Sequence, residues 1–244
     1  MLTYSYLSPL VKVLSFEKTQ DSLGFLCDFH YLSPLVKVLS FEKTQDSLGF
    51  LLTYSYLCTL IMANNEEKTN QQFEQTIAEC RALFEKKLHD YGASWRILRP
   101  QSLTDQLFIK AKRIRSLEIK KESLVSEGIR PEFVALINYG IVGLIQIYHG
   151  FSDTVDITNE KAMQLYDKYA QEALELMKRK NHDYDEAWRG MRVSSYTDFI
   201  LTKIERIKEI ENLDGDTLVS EGIDSNYMDI INYAVFGAIK LSEE

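Results

Sequence analysis

From Met62 onward the apolar positions recur at helical rather than alternating spacing. Phe73, Ile77, Cys80 and Phe84 form one stripe and predict a helix from about Thr69 to Tyr91. Ala162, Leu165, Tyr169 and Leu176 form a second and predict a helix from Thr158 to Tyr184. Ile200, Ile204, Ile207 and Ile210 mark the inner face of "SYTDFILTKIERIKEIENL" from Ser195, and "SLTDQLFIKAKRIRSLE" from Ser102 has the same cast. Two further segments, "PEFVALINYGIVGLIQIY" from Pro131 and "SNYMDIINYAVFGAIKL" from Ser225, are apolar nearly all round. Such helices belong in the centre of a bundle. No alternating strand pattern appears in this region, so the fold is expected to be all-α.

The ends of these segments carry matching signals. Thr69 and Thr158 are good N-caps, and Gln72 completes a capping box with Thr69. Ser102 with Asp105, and Ser195 with Asp198, repeat that motif with aspartate as the acid. Pro131 suits a first helical turn and Asp224 an N-cap. Gly128 and Gly222 suit tight turns before the last helices.

The chain also repeats itself. "LHDYGASWRILR" at 88–99 returns as "NHDYDEAWRGMR" at 181–192, and "LVSEGI" stands at both 124–129 and 218–223. Asp105, Lys110 and Arg113 pair with Asp198, Lys203 and Arg206, and Asn138-Tyr139 pairs with Asn232-Tyr233. These patterns predict two tandem three-helix repeats, 62–150 and 151–244, packed as an intrachain pseudo-dimer around the two apolar third helices.

Residues 1–61 are a different kind of text. "YLSPLVKVLSFEKTQDSLGFL" occurs at 6–26 and again, unchanged, at 31–51. Copies that fold against each other normally drift apart, so identity points to a recent duplication of coding DNA. Met62 is accordingly expected to be the natural initiator. The rival is a true repeat that packs or meets a membrane. Within this stretch the uncharged run 47–63 is slightly short for a membrane span and lacks a basic flank.

Composition narrows the partners. The formal charge is −8, with 26% charged and 45% hydrophobic residues, as in a globular protein. An acidic chain is poorly suited to a nucleic-acid backbone. Three scattered cysteines without CxxC spacing suggest a reduced, cytoplasmic protein. The expected partners are a nucleotide or small phosphorylated ligand, and a second copy in a homo-oligomer. No nucleic-acid polymer is expected, and no membrane beyond the N-terminal rival just described.

The differences between the copies locate the candidate chemistry. Glu172 and Glu175 stand one turn apart where the first copy has Glu79 and Ala82, and Asp229 stands where it has Ala135. Such carboxylates can hold a magnesium ion, so Glu172, Glu175 and Asp229 are the candidate metal ligands. Lys180, Arg189, Lys203 and Arg206 are candidates to hold phosphate. Tyr184 and Trp188 are candidates to stack on a base, although the expected role of Trp95 and Trp188 is first that of hydrophobic anchors under a loop. Asn232, polar in an apolar helix, is a further binding candidate, and Glu221 and Asp183 are the candidate catalytic residues.

The repeated pattern K-x-x-D-Y…W-R…D…K-x-x-R-I…E-G…N-Y resembles the nucleotide-modification-associated domain type 1 family, in two copies covering almost everything after Met62. The helical unit is also similar to the MazG-like all-α nucleoside triphosphate pyrophosphohydrolases, which use an ExxE and a later ExxD to hold magnesium. Here Glu172 and Glu175 supply the first motif, but the second reads Asn226-x-x-Asp229. The resemblance implies a nucleotide-binding protein of nucleotide metabolism or modification, with magnesium-dependent pyrophosphohydrolysis as its catalytic form. The alternative is a non-catalytic helical interaction module, in which the shared residues cap helices and pin loops.

Overall fold

The computed structural model of the chain describes residues 47–120, 128–184, 186–213 and 222–243, with side chains from Ala63 onward. The duplicated N-terminal text up to residue 46 lies outside the described residues. The chain divides into two compact units, Met1–Leu60 and Ile61–Glu244. In the first unit only 47–60, the beginning of α1, is described.

The described elements are all helical. They are α1 (Ser47–Tyr91), α2 (Pro100–Lys120), α3 (Arg130–His149), α4 (Asn159–Tyr184), α5 (Val193–Asn212) and α6 (Ile223–Glu243). Short 3-10 turns, Ser94–Ile97 and Ala187–Gly190, follow α1 and α4. The two halves thus have the same order of elements.

The predicted stripes are the buried faces. Phe73, Cys80, Phe84 and Leu88 of α1 are buried and Ile77 partly so, and Ala162, Leu165, Tyr166 and Tyr169 of α4 and all four isoleucines of α5 are buried. Leu176 is only half-buried, and Leu174 and Met177 take the core positions beside it. The Cys80 thiol is pushed up to about 12 by burial, which leaves it unreactive.

The start of α1 differs from the expectation. The helix runs through Thr69 from Ser47, so Thr69 caps nothing, and its hydroxyl donates to Glu186 at 2.5 Å. Thr158 does cap α4, accepting from the Lys161 N–H at 3.2 Å. α2 and α5 begin two residues before their Ser-x-x-Asp motifs, and Asp198 pairs with Arg115 at 2.6 Å. Asp224 lies within the first turn of α6 and accepts from the Tyr148 hydroxyl at 2.7 Å. The left-handed glycines are Gly92, which ends α1, and Gly150, which ends α3.

Helices α3 and α6 form the central pair, and their contact is reciprocal. Gly143 of α3 faces the Tyr227 ring, and its counterpart Gly237 of α6 faces the ring of Phe133, the counterpart of Tyr227. A Cβ at Gly237 would stand 2.6 Å from the Phe133 ring, so glycine is what lets the helices close. α2 and α5 pair in the same reciprocal way. Thr104 donates to Glu211 at 2.7 Å, and the equivalent Thr197 donates to Glu118 at 2.9 Å. Contacts made twice with roles exchanged are those of an isologous interface. The two repeats therefore form one intrachain pseudo-dimer. α3 is long and apolar enough to cross a membrane, but most of it is buried in this central pair.

Candidate functional site

The Trp-Arg phrase turns out to be a clamp in both repeats. In the first, Arg96 is almost fully buried and holds both oxygens of Asp156, at 2.8 and 3.0 Å. Its other nitrogen donates to Gln146 and to the Gly150 carbonyl. Gln146 in turn donates to the carbonyls of Trp95, Arg96 and Leu98. The end of α3 and the linker before α4 are thereby tied to the 3-10 turn. The Arg96 guanidinium holds the Asp156 carboxyl below its usual range.

In the second repeat Arg189 donates to Glu186 at 2.6 Å, Thr69 at 2.7 Å and Gln72 at 2.8 Å. Lys240, the counterpart of Gln146, donates to the Arg189 carbonyl at 2.7 Å. Trp188 is buried, with Phe236 stacked on it at 4.5 Å and the Arg189 guanidinium 4.3 Å from its ring centre. Arg189 and Trp188 are therefore engaged within the fold. Glu186, which receives Thr69, Asn181 and Arg189, sits in the left-handed region at φ 59°, where its counterpart Ala93 has φ −81°. A non-glycine residue held there is strained, and strain persists only where its surroundings impose it.

The face of α6 toward α4 and α5 carries the remaining chemistry. Asn226, Asp229 and Asn232 follow at one-turn intervals, all buried. Lys180 of α4 donates to one oxygen of Asp229, and Lys203 of α5 lies 2.8 Å from the other. A buried carboxylate needs such partners. Flanking it, Asn226 Oδ1 and both polar atoms of the Asn232 amide are buried and have no hydrogen-bond partner among the described residues. Leaving such atoms unmet costs about 1–3 kcal/mol each.

The same face of α3 is closed. Glu132, at the position of Asn226, is bound by Arg113, with Lys110 Nζ 3.2 Å from Oε2 but off the line of a hydrogen bond. Ala135 replaces Asp229. Asn138 donates to the Cys80 carbonyl at 3.3 Å and accepts from the Tyr166 hydroxyl at 2.8 Å. The equivalent lysines, Lys110 and Lys203, thus meet carboxylates one helical turn apart.

The other predicted residues lie around this face. Tyr184, one turn after Lys180, is 70% exposed. Arg206, one turn after Lys203, is exposed. Asp183 is exposed beside His182. An open depression of about 590 Å³ near the end of α4 is lined by Lys178, Arg179, Asn181, His182, Asp183 and residues of α1. Glu221 lies outside the described residues. Glu172 and Glu175 point to α4's own lysines, Lys168 at 3.7 Å and Lys178 at 3.3 Å. Among the described residues no three acidic, histidine or cysteine side chains come together as a ligand set. Asp229 already receives two ammonium groups, so Glu172, Glu175 and Asp229 do not fit a shared magnesium ion.

The model for nucleotide modification associated domain 1 matches residues 87–147 and again 180–241, the two segments that carry these faces. The chain belongs to the nucleotide modification associated domain 1 family. Each matched segment runs from the end of its first helix to the end of its third, so the family unit includes the Trp-Arg clamp and the third-helix polar face. Among curated proteins and solved structures there is no match.

Proposed function

We propose that the second repeat binds a nucleotide through the face built by Lys180, Lys203, Arg206, Tyr184 and Asn232. One observation carries the reading. Two lysines from different helices converge on a buried aspartate beside an amide whose polar atoms are unmet, and the first repeat has closed the same face. Asp229 fixes the lysines in place. Lys180, nearly half exposed at 46%, keeps donors for a phosphate after binding Asp229. Tyr184, one turn away, offers an exposed ring for a base, and Arg206 adds charge one turn from Lys203. Magnesium enters in this reading with the nucleotide's own phosphates, since Glu172, Glu175 and Asp229 each face lysines.

The non-catalytic module keeps one observation in its favour: the most conspicuous repeated residues, Trp188 and Arg189, hold the fold together. Melting temperature measured across a panel of nucleoside mono-, di- and triphosphates separates the two readings. A ligand that binds only the folded state at a hundred times its Kd adds about 2.7 kcal/mol. Stabilisation by a nucleotide, lost in Lys180→Gln, is the expected result. No shift with any nucleotide at millimolar concentration favours the module.

A further inference from the structure

The third-helix asparagines are equivalent, yet only one is satisfied. Asn138 is met by the Tyr166 hydroxyl, which crosses from α4 of the other repeat. The residue equivalent to Tyr166 is Phe73 of α1, fully buried, with the same ring and no hydroxyl. Asn138 is therefore filled by a side chain lent from the second repeat, while Asn232 Oδ1 and Nδ2 are both buried without a hydrogen-bond partner among the described residues.

We propose that Asn232 is the specificity-determining residue of the nucleotide site and that Phe73 keeps it available. This rests on the nucleotide reading above. A carboxamide with both atoms open is complementary to a ligand edge presenting a donor and an acceptor side by side. Nucleobase edges have that pattern, and asparagine reads adenine through such a pair. Sugar and phosphate groups do not supply it in that fixed planar arrangement. Asn232 lies one turn beyond Asp229 on the same face, so a base on Asn232 places its phosphates on the side of the two lysines.

Access runs past the turn of α1 that carries Phe73. On the Glu186 side that turn is held by polar bonds, from Thr69 to Glu186 and from Arg189 to Thr69 and Gln72. Water or a ligand can replace such bonds, so in this proposal a base reaches Asn232 by displacing them. Asn226 Oδ1, two turns before Asn232, extends the open polar strip along α6.

The test compares Phe73→Tyr, Asn232→Leu and Lys180→Gln in the full chain by calorimetric titration with ATP, CTP, GTP, UTP and inorganic tripolyphosphate. Phe73→Tyr supplies the missing hydroxyl. It is expected to raise the melting temperature of the free protein and to weaken the preferred nucleotide at least tenfold, leaving tripolyphosphate unchanged. Asn232→Leu, which needs no new hydrogen bond, is expected to level the four affinities. Lys180→Gln is expected to weaken nucleotides and tripolyphosphate together. If Phe73→Tyr and Asn232→Leu keep wild-type affinities while Lys180→Gln loses them, Asn232 is not the reader and the nucleotide site stands. If the wild-type chain binds no nucleotide, the inference falls with the reading beneath it.

Discussion

Helices α3 and α6 do the same structural work and carry opposite chemistry. Both are central, and both press a glycine against the other's aromatic ring. Along the face toward its own repeat, α3 shows Glu132, Ala135 and Asn138, with Asn138 fully hydrogen-bonded and Glu132 held by Arg113 through one oxygen while its other oxygen only faces Lys110. α6 shows Asn226, Asp229 and Asn232, with an ion cluster in the middle and unmet amide atoms on either side. The fold therefore requires a buried acid near the second-helix lysine but tolerates it at either of two turns. What α6 gains by the shift is a buried unmet amide oxygen at Asn226 and a wholly unmet amide at Asn232.

The largest expected effect breaks this comparison most directly. Glu132→Ala removes the carboxylate that Arg113 and Lys110 face, both of whose side chains are less than a third exposed, and is expected to cost about 3 kcal/mol in urea unfolding. Asp229→Ala is expected to cost clearly less, about 1–2 kcal/mol, because Lys180 at 46% exposure turns to water. Equal costs would mean that the two faces are not as different as their geometry.

Next come the glycines. Gly143→Ala and Gly237→Ala force a methyl group into Tyr227 and Phe133 respectively, and each is expected to cost about 1–3 kcal/mol. A loss confined to one of them would show that the reciprocal contact has become one-sided. Tyr166→Phe takes from Asn138 the hydroxyl its Oδ1 accepts, while Nδ2 keeps the Cys80 carbonyl. It is expected to cost about 1 kcal/mol and to leave nucleotide binding untouched.

The smallest effect concerns pH. Burial raises the Glu118 and Glu211 carboxyls above the usual 4.5. A raised carboxyl binds its proton more tightly in the folded state. Its contribution is therefore fully present below pH 4.5 and is lost as pH rises through the higher folded value. Glu118→Gln and Glu211→Gln are expected to stabilise at pH 7 by less than about 1 kcal/mol after solvent screening, and to change nothing near pH 4. Asp156, held down by Arg96, acts in the opposite direction, losing its contribution as pH falls below 3.8. In the second repeat the carboxylate paired with the equivalent arginine is Glu186, from the same turn as Arg189.

Most of the helices were legible from periodicity, because an amphipathic stripe records which side is buried. The start of α1 was not, because Thr69 looks like a cap whichever way its hydroxyl turns. The clamp was hidden for another reason. Arg96 and Arg189 are visible, but their partners Asp156, Gln146, Gln72 and Thr69 lie far away in the chain and differ between copies. Asp229 stood out as a charge in an apolar helix, and its spacing placed it on a face without saying that lysines, rather than Glu172 and Glu175, would meet it. The signal for the open amide was present in the text as tyrosine 166 against phenylalanine 73. It becomes readable only when α1 and α4 are known to cross onto each other's repeats. Glu221 lies in a segment outside the described residues.

The reciprocal glycine contact has a consequence for how such a molecule can change. In a dimer of identical chains, every substitution appears twice, and each half must tolerate it. Joining the halves in one chain halves the dose. Tyr227 could acquire a hydroxyl that reaches Thr104 at 3.1 Å while Phe133 stayed bare. In the same way one half could specialise while the other stayed behind as its scaffold.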